Sequence, residues 1–191
     1  METDRIFLKK CGETGHNSRP FWNIFKSQRP GFSHYRLDVA YQAVVHQDLN
    51  FEWLCEIGSD LGRSTAWFSN IAQNIDVYEQ DTRYIEICRK QCQRAQVRYG
   101  PIRNVNWHEV EDISINKVLN TLPRKYDAIK LSAYNIIQYV PSMLKKLNKG
   151  GYLILDERYN PAKPTLVKML QYNFEMTSNR WDSTIIVAKH K

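Results

Sequence analysis

No run of apolar residues in this 191-residue chain approaches the about 20 that a membrane-spanning helix needs. The N-terminus also lacks the apolar centre of a secretory signal, so a cytoplasmic protein without membrane attachment is expected. Cysteine is sparse: Cys11, Cys55, Cys88 and Cys92 show no zinc-ligand grouping and read as reduced thiols, the last two a helical turn apart. Internal repeats and linker-like stretches are missing as well. One domain over residues 1–191 follows, long enough for a full core.

Charge is present in excess, with a formal net value of +7. Nucleic acid is therefore a partner to weigh. The basic residues do not gather in one place, however. Arg83, Arg89, Lys90, Arg94, Arg98 and Arg103 fall on one helix and the loop after it, and Lys117, Arg124, Lys125, Lys145, Lys146 and Lys149 are spread further on. They read as solvated helix faces, without the joint basic and aromatic stripe of a single-strand binder. Weak or no nucleic-acid binding is expected.

Along the chain, residues 1–35 combine Gly, Pro and Ser with Phe21-Trp22-Asn23-Ile24-Phe25. Such aromatics suit an ordered cap more than a disordered tail. Arg36 to Gln47 has helical spacing. Strands then alternate with helices: Trp53–Ile57, Ile75–Glu79, Val105–His108, Tyr126–Leu131 and the nearly all-apolar Tyr152–Asp156 are the strands. Between them lie helical patterns from Thr65 to Ala72, through Tyr84–Ala95, through Ile113–Leu122, and from Tyr134 to Asn148, with Pro141 kinking the last or marking its true start. Pro164–Asn173 reads as a helix, and Phe174–Thr177 and Ser183–Ala188 as closing strands. This alternation predicts an α/β fold with a parallel, doubly wound sheet as the core of residues 36–191.

The most informative passage is Glu56-Ile57-Gly58-Ser59-Asp60-Leu61-Gly62-Arg63-Ser64-Thr65, a strand end, a glycine turn and a helix start. Gly58 and Gly62 let the backbone turn sharply and a ligand approach, and the helix that follows offers free N–H groups. About twenty residues later Glu79 ends the second strand, where open α/β sheets place the carboxylate that accepts from ribose hydroxyls. A solvated strand end is the plain alternative. A dinucleotide-binding oxidoreductase is another, though Asp60 occupies the position of the middle glycine that lets a pyrophosphate close in.

Glu56-x-Gly58-x-x-x-Gly62 followed by Glu79 resembles the cofactor site of class I S-adenosylmethionine-dependent methyltransferases. It is most similar to the branch of catechol O-methyltransferase-like, small-molecule and sugar methyltransferases. The resemblance runs from about Arg36 to the C-terminus and implies a seven-stranded Rossmann-like sheet closed by an antiparallel hairpin, with residues 1–35 as cap. It implies S-adenosylmethionine as cofactor: Glu56, Gly58, Asp60 and Gly62 toward its methionine part, Glu79 on the ribose, and Glu111 toward the adenine. Glu109 takes that last place if the strand register shifts by two.

On the acceptor side the match thins. In the resemblance, catechol-type enzymes hold magnesium between an aspartate after the fourth strand and an Asp-Asp or Asp-Asn pair after the fifth. Here those positions carry Ser132, and Asp156 with Glu157, a poor octahedral site, so no catalytic metal is expected. Asp156 and His34 are the candidate general bases, the first at the end of a central strand and the second in the cap; Tyr134 and Tyr159 flank the crevice. RNA methyltransferases often carry an Asn-Pro-Pro-Tyr-like motif or a cysteine nucleophile after the fourth strand, and Leu131-Ser132-Ala133-Tyr134 has neither. The expectation is a metal-independent O- or N-methyltransferase of a small acceptor, sugars among the candidates. A methyltransferase-like protein without turnover, an RNA methyltransferase and a homodimeric assembly stay open.

Overall fold

Seven strands form one sheet in the order β3-β2-β1-β4-β5-β7-β6. The computed structural model describes residues 51–59, 62–69, 72–99, 104–110, 114–133, 135–157, 163–179 and 185–191. The cap and the helix expected over Arg36 to Gln47 lie outside them.

The first half runs β1 (Phe51–Ile57), α1 (Arg63–Phe68), β2 (Ala72–Glu79), α2 (Thr82–Tyr99) and β3 (Asn104–Glu109). The second half runs α3 (Ile115–Thr121), β4 (Tyr126–Ala133), a 3-10 turn (Ile136–Tyr139), α4 (Val140–Lys146), β5 (Leu147–Glu157), α5 (Lys163–Leu170), β6 (Phe174–Asn179) and β7 (Ile185–His190). Strands β1 to β5 pair in parallel. The closing pair is antiparallel, with β7 inserted between β5 and β6. Because β2 and β3 lie on one side of β1, and β4 and β5 on the other, the chain reverses its winding between β1 and β4. Open α/β sheets form their ligand crevice at such a point, beyond the carboxyl ends of the strands.

One face of the sheet is the apolar core. Cys55, Ile57, Ile129, Leu131, Leu153 and Leu155 meet Val118 and Leu119 of α3, Val140 and Met143 beside them, and Leu166 and Leu170 of α5. The run Tyr152–Leu155 is buried on both faces, which is why it is apolar at every residue rather than at alternate ones.

Three element ends differ from the sequence expectation. The first helix stops at Phe68, and Ala72, expected to be helical, opens β2, where it pairs with Phe51. The helix expected from Tyr134 starts only at Val140, with Pro141 in its first turn, where a missing N–H costs nothing. Across residues 136–147 the buried positions are consequently Ile136, Val140, Met143 and Leu147, with Ile137 and Leu144 only partly covered. Strand β5 begins at Leu147, ahead of the expected Tyr152, and passes through Gly150 at a φ of +76°.

Candidate functional site

The carboxyl ends of β1 and β2 are joined by the turn that leaves β1. The Gly58 N–H donates to the Tyr78 carbonyl at 3.0 Å, and the Gly62 N–H closes the turn onto the Ser59 carbonyl at 2.9 Å. Both glycines lie in the left-handed region, at φ +79° and +74°. Space reinforces the choice: a Cβ on Gly62 would stand 2.9 Å from the Cys88 Cα on α2, and one on Gly58 would meet the Ser132 carbonyl oxygen at 3.4 Å. Ser132 in turn pairs with Asp156 across β4 and β5. Gly58, Ser132 and Asp156 therefore follow one another along the carboxyl edge of three adjacent strands.

Glu79 sits at the end of β2, about nine-tenths buried. Its Oε2 accepts from the Ser59 N–H at 2.9 Å and the Ser59 hydroxyl at 3.1 Å. Its Oε1 accepts from the Gln80 and Asp81 N–H groups at 2.9 and 3.3 Å. Four donors hold the carboxylate at the mouth of the turn, and the Ser59 hydroxyl has a second neighbour in the Cys88 thiol at 3.5 Å. Glu109 ends β3 opposite Glu79 and accepts from the Thr82 hydroxyl.

Glu56 is fully buried below the turn. Its Oε2 accepts from the Thr65 hydroxyl at 2.5 Å and its Oε1 from the Ser64 hydroxyl, so the carboxylate anchors the first turn of α1. The Lys130 Nζ lies 3.0 Å from Oε1, with its side chain 7 % exposed, and donates to the Gly58 carbonyl at 2.6 Å. Glu56 and Lys130 are register partners on β1 and β4, so the sheet sets the opposite charges side by side.

Of the residues singled out in the sequence, Glu56, Gly58, Gly62 and Glu79 come together around the turn, and Asp156 lies along the edge from it. Asp60, Glu111 and His34 lie outside the described residues. Sequence reasoning missed Lys130, Ser59, Ser64, Thr65 and Cys88 as parts of this assembly. The available signal for Lys130 was a lysine within an otherwise apolar strand core, Ala128-Ile129-Lys130-Leu131. Among the described residues, no three His, Cys, Asp or Glu side chains are grouped as metal ligands.

The core face of the sheet, opposite Glu56 and Lys130, carries a second polar cluster. Asp76, 3 % exposed, accepts from the Tyr126 hydroxyl at 2.7 Å and from the Asn106 amide at 2.9 Å. Arg124 approaches it at 3.9 Å while lying over the Trp53 ring. His108 stacks on Tyr78, and its Nε2 stands 3.5 Å from Asp76. Burial pushes the Cys55 thiol up, with the Asp76 and Glu56 charges adding to the effect. Burial likewise pushes the Tyr78 hydroxyl up to about 12.

The strand order, the glycine turn and the carboxylate one strand later meet at the switch point. The fold is that of a class I S-adenosylmethionine-dependent methyltransferase. Among solved structures, the O-methyltransferase TomG from Streptomyces achromogenes, involved in tomaymycin synthesis and in complex with SAM, superposes with a TM-score of 0.65. It shares 15% identity, over 97% of this chain and 89% of that one. An O-methyltransferase from Bacillus cereus in complex with SAH gives 0.64 at 16% identity, over 91% and 90% of the two chains. The N-methyltransferase NodS from Bradyrhizobium japonicum WM9, in complex with S-adenosyl-L-homocysteine, gives 0.58 at 14% identity, over 88% and 98%. No family model and no curated relative matches the sequence. The methyltransferase fold is thus carried here by a sequence only 14–16% identical to these structures.

Proposed function

We propose that this chain is an S-adenosylmethionine-dependent methyltransferase acting on an oxygen or nitrogen of a small acceptor, sugars among the candidates, without a metal. The observation that carries the reading is Glu79 bonded to Ser59 within the glycine turn at the switch point. The cradle fits such a cofactor: the turn carries no Cβ at Gly58 or Gly62, and a buried carboxylate faces its mouth. The cofactor supplies an activated methyl group on a sulfonium.

The chain's residues bind, align and accept a proton. Glu79 takes the ribose hydroxyls, the Ser59 hydroxyl turning aside toward Cys88 to release a lone pair on Oε2. The turn from Gly58 through Asp60 to Gly62 lies along the methionine part, with Glu56 fixing it from below. Glu111, or Glu109 in its place, meets the adenine. Asp156 removes the acceptor's proton as the methyl group arrives, with His34 of the cap as the alternative base. Ser132 beside Asp156 supports the metal-free reading, since a hydroxyl and one carboxylate make a weak cation site.

The test is release of S-adenosylhomocysteine with a broad acceptor panel, with and without magnesium. Turnover without metal supports the proposal, and turnover only with magnesium refutes its metal-free part. Ser132 also favours a second reading, a cofactor-binding protein without turnover; cofactor binding with no product across the panel would support it. Nucleic acid is proposed to bind only in the non-specific range of about 10⁻⁴–10⁻⁶ M at physiological salt.

A further inference from the structure

A trans peptide points its carbonyl oxygen and its N–H in opposite directions. The peptide joining Gly58 to Ser59 is held at both ends. Its carbonyl accepts from the Lys130 Nζ at 2.6 Å, and its N–H donates to Glu79 Oε2 at 2.9 Å. Described residues contain no cis bond, so the two contacts hold opposite edges of one plane. Fixing that plane fixes the direction from which Ser59 meets Glu79. The same ammonium pairs with Glu56, which holds Ser64 and Thr65 at the start of α1.

Keeping a lysine at this depth is costly unless its charge is paired and its protons are bonded. An apolar residue would satisfy a central strand at lower cost, as Ile129 and Leu131 do on either side. We propose that Lys130 is a positioning residue of the cofactor site, clamping the Gly58–Ser59 peptide against Glu79 so that the ribose carboxylate is set before the ligand arrives. This rests on the reading of the turn as an S-adenosylmethionine site. Lys130 is assigned no contact with the ligand or the reacting atoms. Its effect passes through the peptide plane.

The test is calorimetric titration of S-adenosylhomocysteine into the full chain and its Lys130→Met variant, each at a temperature well below its own Tm. Val118→Ala, in the core on the opposite sheet face, is the control for a general loss of stability. Lys130→Met is expected to raise Kd at least tenfold, and Val118→Ala to leave it within twofold. If Lys130→Met does not fold, the double variant Glu56→Gln/Lys130→Met removes both buried charges while still leaving the Gly58 carbonyl without its donor. It should show the same loss of affinity. Binding by either Lys130 variant within twofold of the parent overturns the positioning role and leaves the cofactor site intact. Failure of the parent chain itself to bind overturns both.

Discussion

The Tyr126 hydroxyl donates to Asp76 at 2.7 Å across fifty residues of sequence, from β4 into a carboxylate that β2 buries beneath the sheet. The contact explains how an acidic side chain sits in the core of this domain. Replacing Tyr126 by Phe removes the donor and keeps the ring. The carboxylate keeps its Asn106 bond, and the expected loss is about 1–3 kcal/mol of folding stability. Thermal unfolding should show it, while affinity for S-adenosylhomocysteine stays unchanged because the cluster lies on the other face from Glu56 and Lys130. An unaltered Tm would show that Asp76 does not depend on this bond.

The same region sets a limit at alkaline pH. Burial, with the Cys55 thiol adding to it, moves Tyr78 up to about 12, and burial also raises Tyr126, helped by Cys55 and by its bond to Asp76. An unfolded tyrosine titrates near about 10. A proton held more tightly in the folded state stabilises that state fully below pH ~10. That contribution is lost as pH rises from ~10 through ~12. Tyrosinate absorbance followed together with circular dichroism should show these two rings ionising only as the fold is lost. Ionisation of every tyrosine near pH 10 with the fold intact would contradict this.

Two glycines separate strain from crowding. Gly62 and Gly150 share nearly the same φ, +74° and +76°, but a Cβ on Gly62 would press on the Cys88 backbone, whereas one on Gly150 meets nothing within 4 Å. Gly150→Ala should cost only the left-handed conformation, about 1–2 kcal/mol. Gly62→Ala should cost more and also weaken cofactor binding, because the turn must shift away from α2. Equal losses in Tm for the two variants would mean that the turn yields more easily than its contacts suggest.

Much of this architecture was legible in the sequence. Trp53–Ile57 and Ile75–Glu79 announced themselves as apolar strands on either side of a glycine turn, and they are parallel neighbours in the sheet. Element ends were harder to read. Alanine suits a helix, yet Ala72 is drawn into β2 by pairing with Phe51, a contact that local sequence does not record. Glu56 looked like a residue facing the ligand, but its partners, Ser64, Thr65 and Lys130, are assigned by burial and by strand register. A lysine in a strand ordinarily reads as a solvated position. Only the placement of β4 beside β1 turns Lys130 inward against Glu56.

For the acceptor side, Asp156→Asn should lower kcat by about 10²–10⁴ if this carboxylate takes the acceptor proton, with little change in S-adenosylhomocysteine affinity. Steady-state kinetics with any acceptor that turns over will decide it. A kcat within twofold of the parent would move the role of base elsewhere, His34 being the next residue to substitute.

Whether Glu79 and the glycine turn form the cofactor site is best read from calorimetric titration of S-adenosylhomocysteine into the parent chain and Glu79→Ala. The parent should bind saturably, and the variant should lose about 1–3 kcal/mol, or roughly 5- to 150-fold in Kd, as the ribose hydroxyls lose their acceptor. Equal affinity in the two proteins, or tight binding of a nicotinamide dinucleotide in place of S-adenosylhomocysteine, would contradict that assignment.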